Sequence, residues 1–352
     1  MTLATAFERV SLPLADPFGV ARGRTETATN VLVRIEDGAG HAGVGAATPS
    51  EYYGETPDSV EQALPDLLAA VESVGDSDAQ QAIERALRDR APEQAAARAA
   101  VSAAVHDLAA RQQGDPLYRR WGHDPGAAPR TSYTIGIDAP GRMAEKAAEA
   151  RDSGYPVLKI KAGTDDDRAR LRAVREAVPD ARLRVDANCA WEPAEAVAHT
   201  QWLADLGLEF LEQPVAADNI GGLARVSEAG AVPVAADESC VTAADVPRVA
   251  DAVDIVVAKL TKCGGLRPAA RQIAAAQAHG LEVMLGCMVG SNAVLAAACH
   301  LAPLVDYADL DGALLLAGDR YEGVPMPGGR IDLAAVEAGT GARLAGDRQT
   351  HS

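Results

Sequence analysis

Lysine is the residue this chain most nearly does without. Only Lys146, Lys159, Lys161, Lys259 and Lys262 occur in 352 residues, against twenty-eight arginines. Acids outnumber bases by 50 to 33, a formal charge of −17 that excludes nucleic acid as a partner, since phosphate binding needs a basic face. No apolar run reaches the ~18 residues of a membrane helix, so no membrane partner is expected. The N-terminal segment lacks a basic start followed by an apolar stretch, so a secretory signal is not expected either. The five cysteines (Cys189, Cys240, Cys263, Cys287, Cys299) are widely spaced and form no C-x-x-C pair. Reduced, buried thiols in a cytoplasmic protein are the expectation. The seven histidines show no H-x-x-x-H spacing, which leaves carboxylates as the ligands for any metal. An acidic, lysine-poor surface fits adaptation to high salt, and a GC-rich genome that favours arginine and alanine explains the same bias. On either account each lysine is worth examining.

What is present falls into two patterns. Residues 1–50 read as a β-meander, with strands over Phe7–Leu12, Asn30–Ile35 and His41–Ala46, the last after the turn Asp37-Gly38-Ala39-Gly40. The segment Asp16–Thr29, with Pro17, Gly19 and Gly23, reads as a mobile loop. Helical spacing follows at Ser59–Val74, Ala79–Arg90 and Pro92–Gln113. Past residue 130 short apolar runs recur at Tyr155–Ile160, Leu183–Val185, Leu208–Leu211, Val232–Ala235, Ile255–Ala258, Leu281–Leu285 and Tyr307–Leu310. Amphipathic stretches such as Arg168–Val178, Pro193–Leu206 and Leu266–His279 separate them. A repeat of about 25 residues is one strand–helix unit, and such units build a parallel sheet, either open or closed as a barrel.

Polar residues choose between the two closures. Lys161, Asp186, Glu212, Asp237 and Lys259 each end a successive apolar run. In an open sheet those ends lie along a line; in a barrel they converge on one mouth, where such barrels place their active sites. A (β/α) barrel covered by an N-terminal α+β domain is therefore expected, with the Gly- and Pro-rich last thirty residues returning to that cap.

Three carboxylates at one mouth repel unless a cation lies among them, and hard oxygen ligands suit magnesium, with manganese as the alternative. Each acid taken singly could instead cap the helix after its strand. Lys159 and Lys161 alternate in Val157-Leu158-Lys159-Ile160-Lys161 and so face one side, toward the barrel axis. Crowding is expected to lower their pKa values. Lys259 lies four strands further round, which offers a base on one face of a substrate and an acid on the other. Lys262 has left the strand and is the weaker candidate. Asp309-Leu310-Asp311 is a further i, i+2 acid pair, fit either to bind a cationic group or to cap a turn before Gly312.

These residues together resemble the muconate-lactonising subgroup of the enolase superfamily over nearly the whole chain. The signs are the Lys-x-Lys strand end, Val185-Asp186-Ala187-Asn188, Leu211-Glu212-Gln213-Pro214, Ala236-Asp237-Glu238-Ser239, the lysine opposite, and the helix Ala99–Gln113 leading to Pro116-Leu117-Tyr118. Within it the chain is most similar to dipeptide epimerases of the L-Ala-D/L-Glu type, through Ala308-Asp309-Leu310-Asp311-Gly312, Leu285-Gly286-Cys287-Met288 and Ala236-Asp237-Glu238-Ser239-Cys240. The resemblance implies a modified (β/α)8 barrel of (β/α)7β form over residues 128–319, with a cap over 1–127 completed by about 320–352. It implies one Mg2+ per subunit (Mn2+ as substitute) on Asp186, Glu212 and Asp237, and acid/base work by Lys161 and Lys259 with Lys159 in support. It further implies that Asp309 and Asp311 bind the dipeptide's ammonium group near Thr134. An arginine from the loop after the first strand meets the substrate's side-chain carboxylate in that family; Arg24 is taken as the candidate, with Arg22 as its alternative. The segment Asn188-Cys189-Ala190-Trp191 departs from the usual residues. The expected reaction is epimerisation at the α-carbon of the C-terminal residue through an enediolate, in a homo-oligomer. A muconate-type cycloisomerase or o-succinylbenzoate synthase is the alternative on the same scaffold, and a non-catalytic ligand-binding barrel is the reading from another class.

Overall fold

Residues 4–36 fold into one long hairpin. In the computed structural model, which describes residues 3–346, β1 (Ala4–Val20) pairs antiparallel with β2 (Gly23–Glu36), and β2 with β3 (Ala42–Ala47). Residues 1–2 and 347–352, the outer ends of the expected cap segments, lie outside the described residues. The expected loop Asp16–Thr29 is therefore mostly strand: the register shifts between Pro13 and Phe18, and pairing then resumes to Val20 and Gly23. Tertiary contact explains the difference. The tip docks on the barrel, Ile137 N donating to Gly19 O (2.8 Å), and a Cβ at Gly19 would collide with the Ile137 carbonyl.

Three helices cover the meander: α1 (Pro57–Val74), α2 (Gln80–Arg90) and α3 (Ala95–Gln113). Thr56 and Ser59 close a capping box before α1, Pro57 takes its first turn, and Gly75 ends it in the left-handed region (φ 66°). Helix α3 is rich in alanine because it lies directly on β3, where a Cβ at Gly43 or Gly45 would collide with the carbonyls of Ala104 and Ala100. Val31, Val33, Ile35, Leu64, Leu67, Val101 and Leu108 form the cap core; each such side chain contributes about 2 kcal/mol on burial.

A single turn, α4 (Leu117–Arg120), leads to the barrel. Its strands are β4 (Tyr133–Ile135), β5 (Val157–Lys161), β6 (Arg182–Asp186), β7 (Leu208–Glu212), β8 (Val234–Ala236), β9 (Ile255–Ala258), β10 (Glu282–Gly286) and β11 (Tyr307–Asp309). All pair parallel in chain order. The sheet nearly closes between its first and last strands, through the bridge Thr131–Ala308 and the bond Ser132 N to Ala308 O (3.0 Å). Seven helical connections intervene: α5 (Pro140–Asp152), α6 (Asp167–Ala177), α7 (Pro193–Asp205), α8 (Ile220–Ala229), α9 (Val246–Val249), the pair α10 (Leu260–Cys263) and α11 (Leu266–Ala278), and α12 (Asn292–Cys299). Strand β4 was not among the expected apolar runs; three residues give alternation nothing to register. The barrel base is filled by Phe210, Ile255, Val257 and Met284, with the Arg184 guanidinium between Phe210 and Tyr307. This is a packed core, so ligands have access only from the mouth.

After β11 the chain runs back over the cap. Leu14 bridges to Leu316, Leu117 N donates to Gly339 O (2.8 Å), and β12 (Tyr321–Glu322) pairs with β13 (Arg343–Leu344). No helix among the described residues is long and apolar enough to cross a membrane.

Candidate active site

Parallel register sets the site. Lys161 pairs with Asp186, and Asp186 with Glu212, so three functional side chains end neighbouring strands at one level. Asp237 follows β8 and Lys259 follows β9. Strand β9 is four places from β5 in the eight-stranded order, which puts Lys259 across the mouth from Lys161. Leu158 and Ile160 are fully buried toward the helical layer, and the lysines between and after them turn inward.

Each lysine is held by acids. Lys161 Nζ lies 2.6 Å from Asp186 Oδ2 and donates to Asn188 Oδ1 (3.3 Å). Lys159, almost fully buried, reaches Asp186 (3.2 Å), Glu212 (2.8 Å) and Asp309 (2.8 Å). Lys259 binds Asp237 Oδ2 at 2.7 Å. The shift of Lys159 is opposite to the expected one. Burial lowers Lys159, but Asp309, Glu212 and Asp186 outweigh it and hold it well above its ordinary value. Burial lowers Lys259 too, and Asp237, Glu212 and Glu238 together more than reverse that. Crowding among lysines loses to the carboxylates around them.

The acids are not fully satisfied in return. Burial raises Asp186 and Asp237, yet Lys161, Lys159 and Lys259 together hold the first, and Lys259 and Lys262 the second, below the usual carboxylate range. Glu212 moves the other way, raised first by burial and then by Asp186. Its Oε2 lies within ion-pair distance of Lys159 but in no hydrogen bond, and the buried Oε2 of Glu238 also lacks one. As placed, each drawn into its lysine pairs, no three acids among the described residues enclose a common point as a metal cage would. The donor set still fits a hard divalent cation: three carboxylates on adjacent strand ends, one with an orphaned oxygen and a raised pKa.

On the third side stand Asp309 and Asp311, both buried. Ser132 Oγ donates to Asp309 (2.6 Å), and Thr134 donates to Asp311 through its backbone N (2.5 Å) and hydroxyl (3.2 Å). Lys159 holds Asp309 below its ordinary value against burial, whereas burial and then Asp309 raise Asp311 to about 7. A cavity of about 150 Å³ joins these groups, roofed by Phe18, Val20, Tyr53, Met288 and Leu315.

The structure brings Thr134, Lys159, Lys161, Asp237, Lys259, Asp309 and Asp311 to this cavity, with Asp186 and Glu212 buried beneath. It does not bring Arg24, which is exposed on β2. Arg22, at the hairpin turn, lines the cavity instead, donating to Asn188 O (2.9 Å) and Glu238 Oε1 (3.0 Å) over the Tyr52 ring. Two of the five free cysteines, Cys189 and Cys287, are only half-buried, contrary to expectation.

Three further residues serve the site. Lys262 Nζ, fully buried, donates to Asp237 Oδ1 (2.5 Å) and the carbonyls of Asp237 (2.6 Å), Val257 (2.9 Å) and Cys240 (3.1 Å), so it is a strut for the loop after β8. Gln213 accepts from Asp237 N (3.0 Å) and Ser239 N (3.1 Å) and adopts a left-handed φ of 36° to do so. Glu238 anchors Arg22. Lysine scarcity was the one available sign for Lys262; Gln213 and Glu238 sat unremarked beside the acids.

Two family models cover almost all of the chain: the mandelate racemase/muconate lactonizing enzyme N-terminal domain over residues 3–122, and the enolase C-terminal domain-like unit over 142–347. The chain belongs to the enolase superfamily. An L-Ala-D/L-amino acid epimerase of Maribacter sp. is 36% identical to this superfamily member, over 91% of the chain and 93% of that protein. The structure of a substrate-liganded L-Ala-D/L-Glu epimerase from Bacillus subtilis superposes with a TM-score of 0.89 at 33% identity, covering 96% of this chain and 98% of that one. A dipeptide epimerase from Enterococcus faecalis, complexed with Mg and L-Leu-L-Tyr, superposes with a TM-score of 0.88 at 33% identity, covering 97% and 99%.

Proposed function

We propose that this protein is a magnesium-dependent dipeptide epimerase that inverts the α-carbon of the C-terminal residue by proton transfer between Lys161 and Lys259. The observation that carries this reading is the placement of those two lysines across one cavity whose third side is the acid pair Asp309 and Asp311. Asp186, Glu212 and Asp237 would hold the Mg2+, which when bound supplies positive charge to the substrate carboxylate as the α-proton leaves. With those carboxylates turned to a metal ion, Lys161 and Lys259, which they now hold, would be free to serve the α-carbon. Lys159, already between Glu212 and Asp309, steadies the developing carboxylate charge. One lysine removes the proton from its face, and the other returns one on the opposite face.

The dipeptide's ammonium group fits between Asp309 and Asp311, where it supplies the counter-charge that Asp311 lacks. Arg22, held over Tyr52, is assigned the choice of the C-terminal side chain. The five free cysteines among the described residues suit a reducing cytoplasm. The similar epimerases named above support the reading as a whole.

The test is α-proton exchange in deuterated water with magnesium across a dipeptide library. Exchange with inversion for L-Ala-L-Glu or its relatives is expected. No exchange for any dipeptide, with folded, metal-bound protein, would move the assignment to a cycloisomerase or o-succinylbenzoate synthase, whose substrates leave the acid pair nothing to bind.

A further inference from the structure

A second cavity lies away from the barrel mouth. About 430 Å³ opens between cap and barrel, bounded by α2 and α3 on one side and by α10, α11 and the loop Thr242–Ala244 on the other. That volume is within the range that holds small organic ligands. Ile83, Leu87, Val105, Pro92 and Pro268 make its walls largely apolar.

Its charge is unbalanced. Arg98 spends Nη1 on the carbonyls of Ala91 and Pro92 (2.5 Å each) and has no ion-pair partner among the described residues. Its remaining edge, Nε and Nη2, lies against Gly264, where any side chain would meet it. Burial lowers the pKa of this guanidinium, and Glu55 only partly offsets that from beyond ion-pair distance. Of the other charged lining residues, Arg271 pairs with Glu84, which also holds Arg267 behind it, and Arg88 adds a third guanidinium. His106, whose Nδ1 lies 2.7 Å from Ser102 O, is pushed down by burial to about 4 and adds no competing charge. In a chain of charge −17, an apolar chamber with an unpaired arginine and an excess of guanidinium has the chemistry to attract an anion.

We propose that this cap–barrel cavity is a second binding site, for a small carboxylate with an apolar body whose carboxylate pairs with Arg98, the lining arginine that has no ion pair among the described residues. An inorganic anion would leave the apolar walls unfilled, and a neutral apolar molecule would leave Arg98 without a counter-ion. The barrel side of the chamber is Cys263 and Gly264, at the end of the turn that begins after Lys259 and carries Lys262. The site is nevertheless separate from the mouth and does not depend on the reaction assigned to it.

The experiment follows thermal unfolding of the full chain, in EDTA to keep carboxylates from a metal-loaded mouth, against hexanoate, hexanamide and inorganic phosphate. Hexanoate is expected to raise Tm saturably at millimolar concentration, with at least a fivefold weaker half-saturation for the other two. Arg98→Met is expected to abolish the hexanoate shift while keeping turnover, and Arg98→Lys to weaken it. Should Arg98→Met fail to fold, Ala244→Trp at the exposed rim blocks the opening and is expected to remove the same shift. No saturable rise, an equal rise with hexanamide or phosphate, or a rise that survives the variants would overturn the proposal.

Discussion

Asp107 in the cap and Glu212 at the barrel mouth are both fully buried acids, and they are treated in opposite ways. Asp107 is saturated. Its Oδ1 accepts from Thr340 N (2.6 Å) and Thr340 Oγ1 (3.0 Å), and its Oδ2 from Val44 N (3.0 Å) and Arg111 Nε (3.0 Å). These bonds tie β3, α3 and the returning C-terminal segment together. Glu212 has one orphaned oxygen, shares its lysine with two other acids and is raised above the usual carboxylate range. Burial of charge therefore does not mark chemistry in this molecule. What separates these two acids is satisfaction: Glu212 keeps bonding capacity that a cation or a substrate can take up, and Asp107 does not.

The comparison breaks most readily at Asp237. Asp237→Asn should lower magnesium-dependent α-proton exchange by about 10³-fold, since it removes a carboxylate's charge where charge develops; full activity would take it out of the metal set. Lys259→Ala should cut exchange from one stereoisomer by about 10²–10⁴-fold while partly sparing the other. Equal loss from both isomers would make Lys259 structural, like Lys262. Asp107→Ala should show the reverse pattern: unfolding easier by about 3–5 kcal/mol in a denaturant titration, with kcat per folded molecule unchanged. If that variant instead loses activity at full stability, the contrast between the two regions is wrong.

Smaller effects sharpen it. Asp311→Ala should raise the dipeptide KM about 30-fold, the worth of one charge-assisted hydrogen bond, with a lesser change in kcat. Glu55 is an intermediate case in the cap, a buried acid whose Oε1 accepts from Ala96 N (2.8 Å). Burial raises its pKa from 4.5 to about 7, so the folded state binds its proton more tightly than the unfolded state. Its contribution to stability is thus fully present below about pH 4.5 and is lost as pH rises through about 7. Glu55→Gln should therefore leave stability nearly unchanged at low pH and gain about 1–2 kcal/mol above pH 8, read as a pH series of unfolding midpoints. A pH-independent difference would remove burial as the cause.

Much of the site was legible along the chain because its residues end regularly spaced units. Lys161, Asp186, Glu212 and Lys259 follow from strand ends, and inward alternation from Lys-x-Lys. The hairpin from Asp16 to Thr29 was not legible, since its docking depends on a backbone contact with Ile137, far off in sequence. Arg24 was the wrong choice for the cavity for the same reason: which of two nearby arginines faces inward depends on how the hairpin turn is seated, and that turn presents Arg22. Strand β4 was too short to carry a pattern, and the lysine shifts depended on charges from strands the local sequence does not contain.

The sequence by itself determined the strand–helix repeat, the cap's helices and the identity of the acids and lysines at the strand ends, because side-chain periodicity is written locally. Only the tertiary structure decided the strut role of Lys262, the sign of the lysine shifts, the choice of Arg22 and the unpaired Arg98 between the domains. Each of those is a sum over groups distant in the chain, and burial and Coulomb interactions take their values from space, not from sequence order.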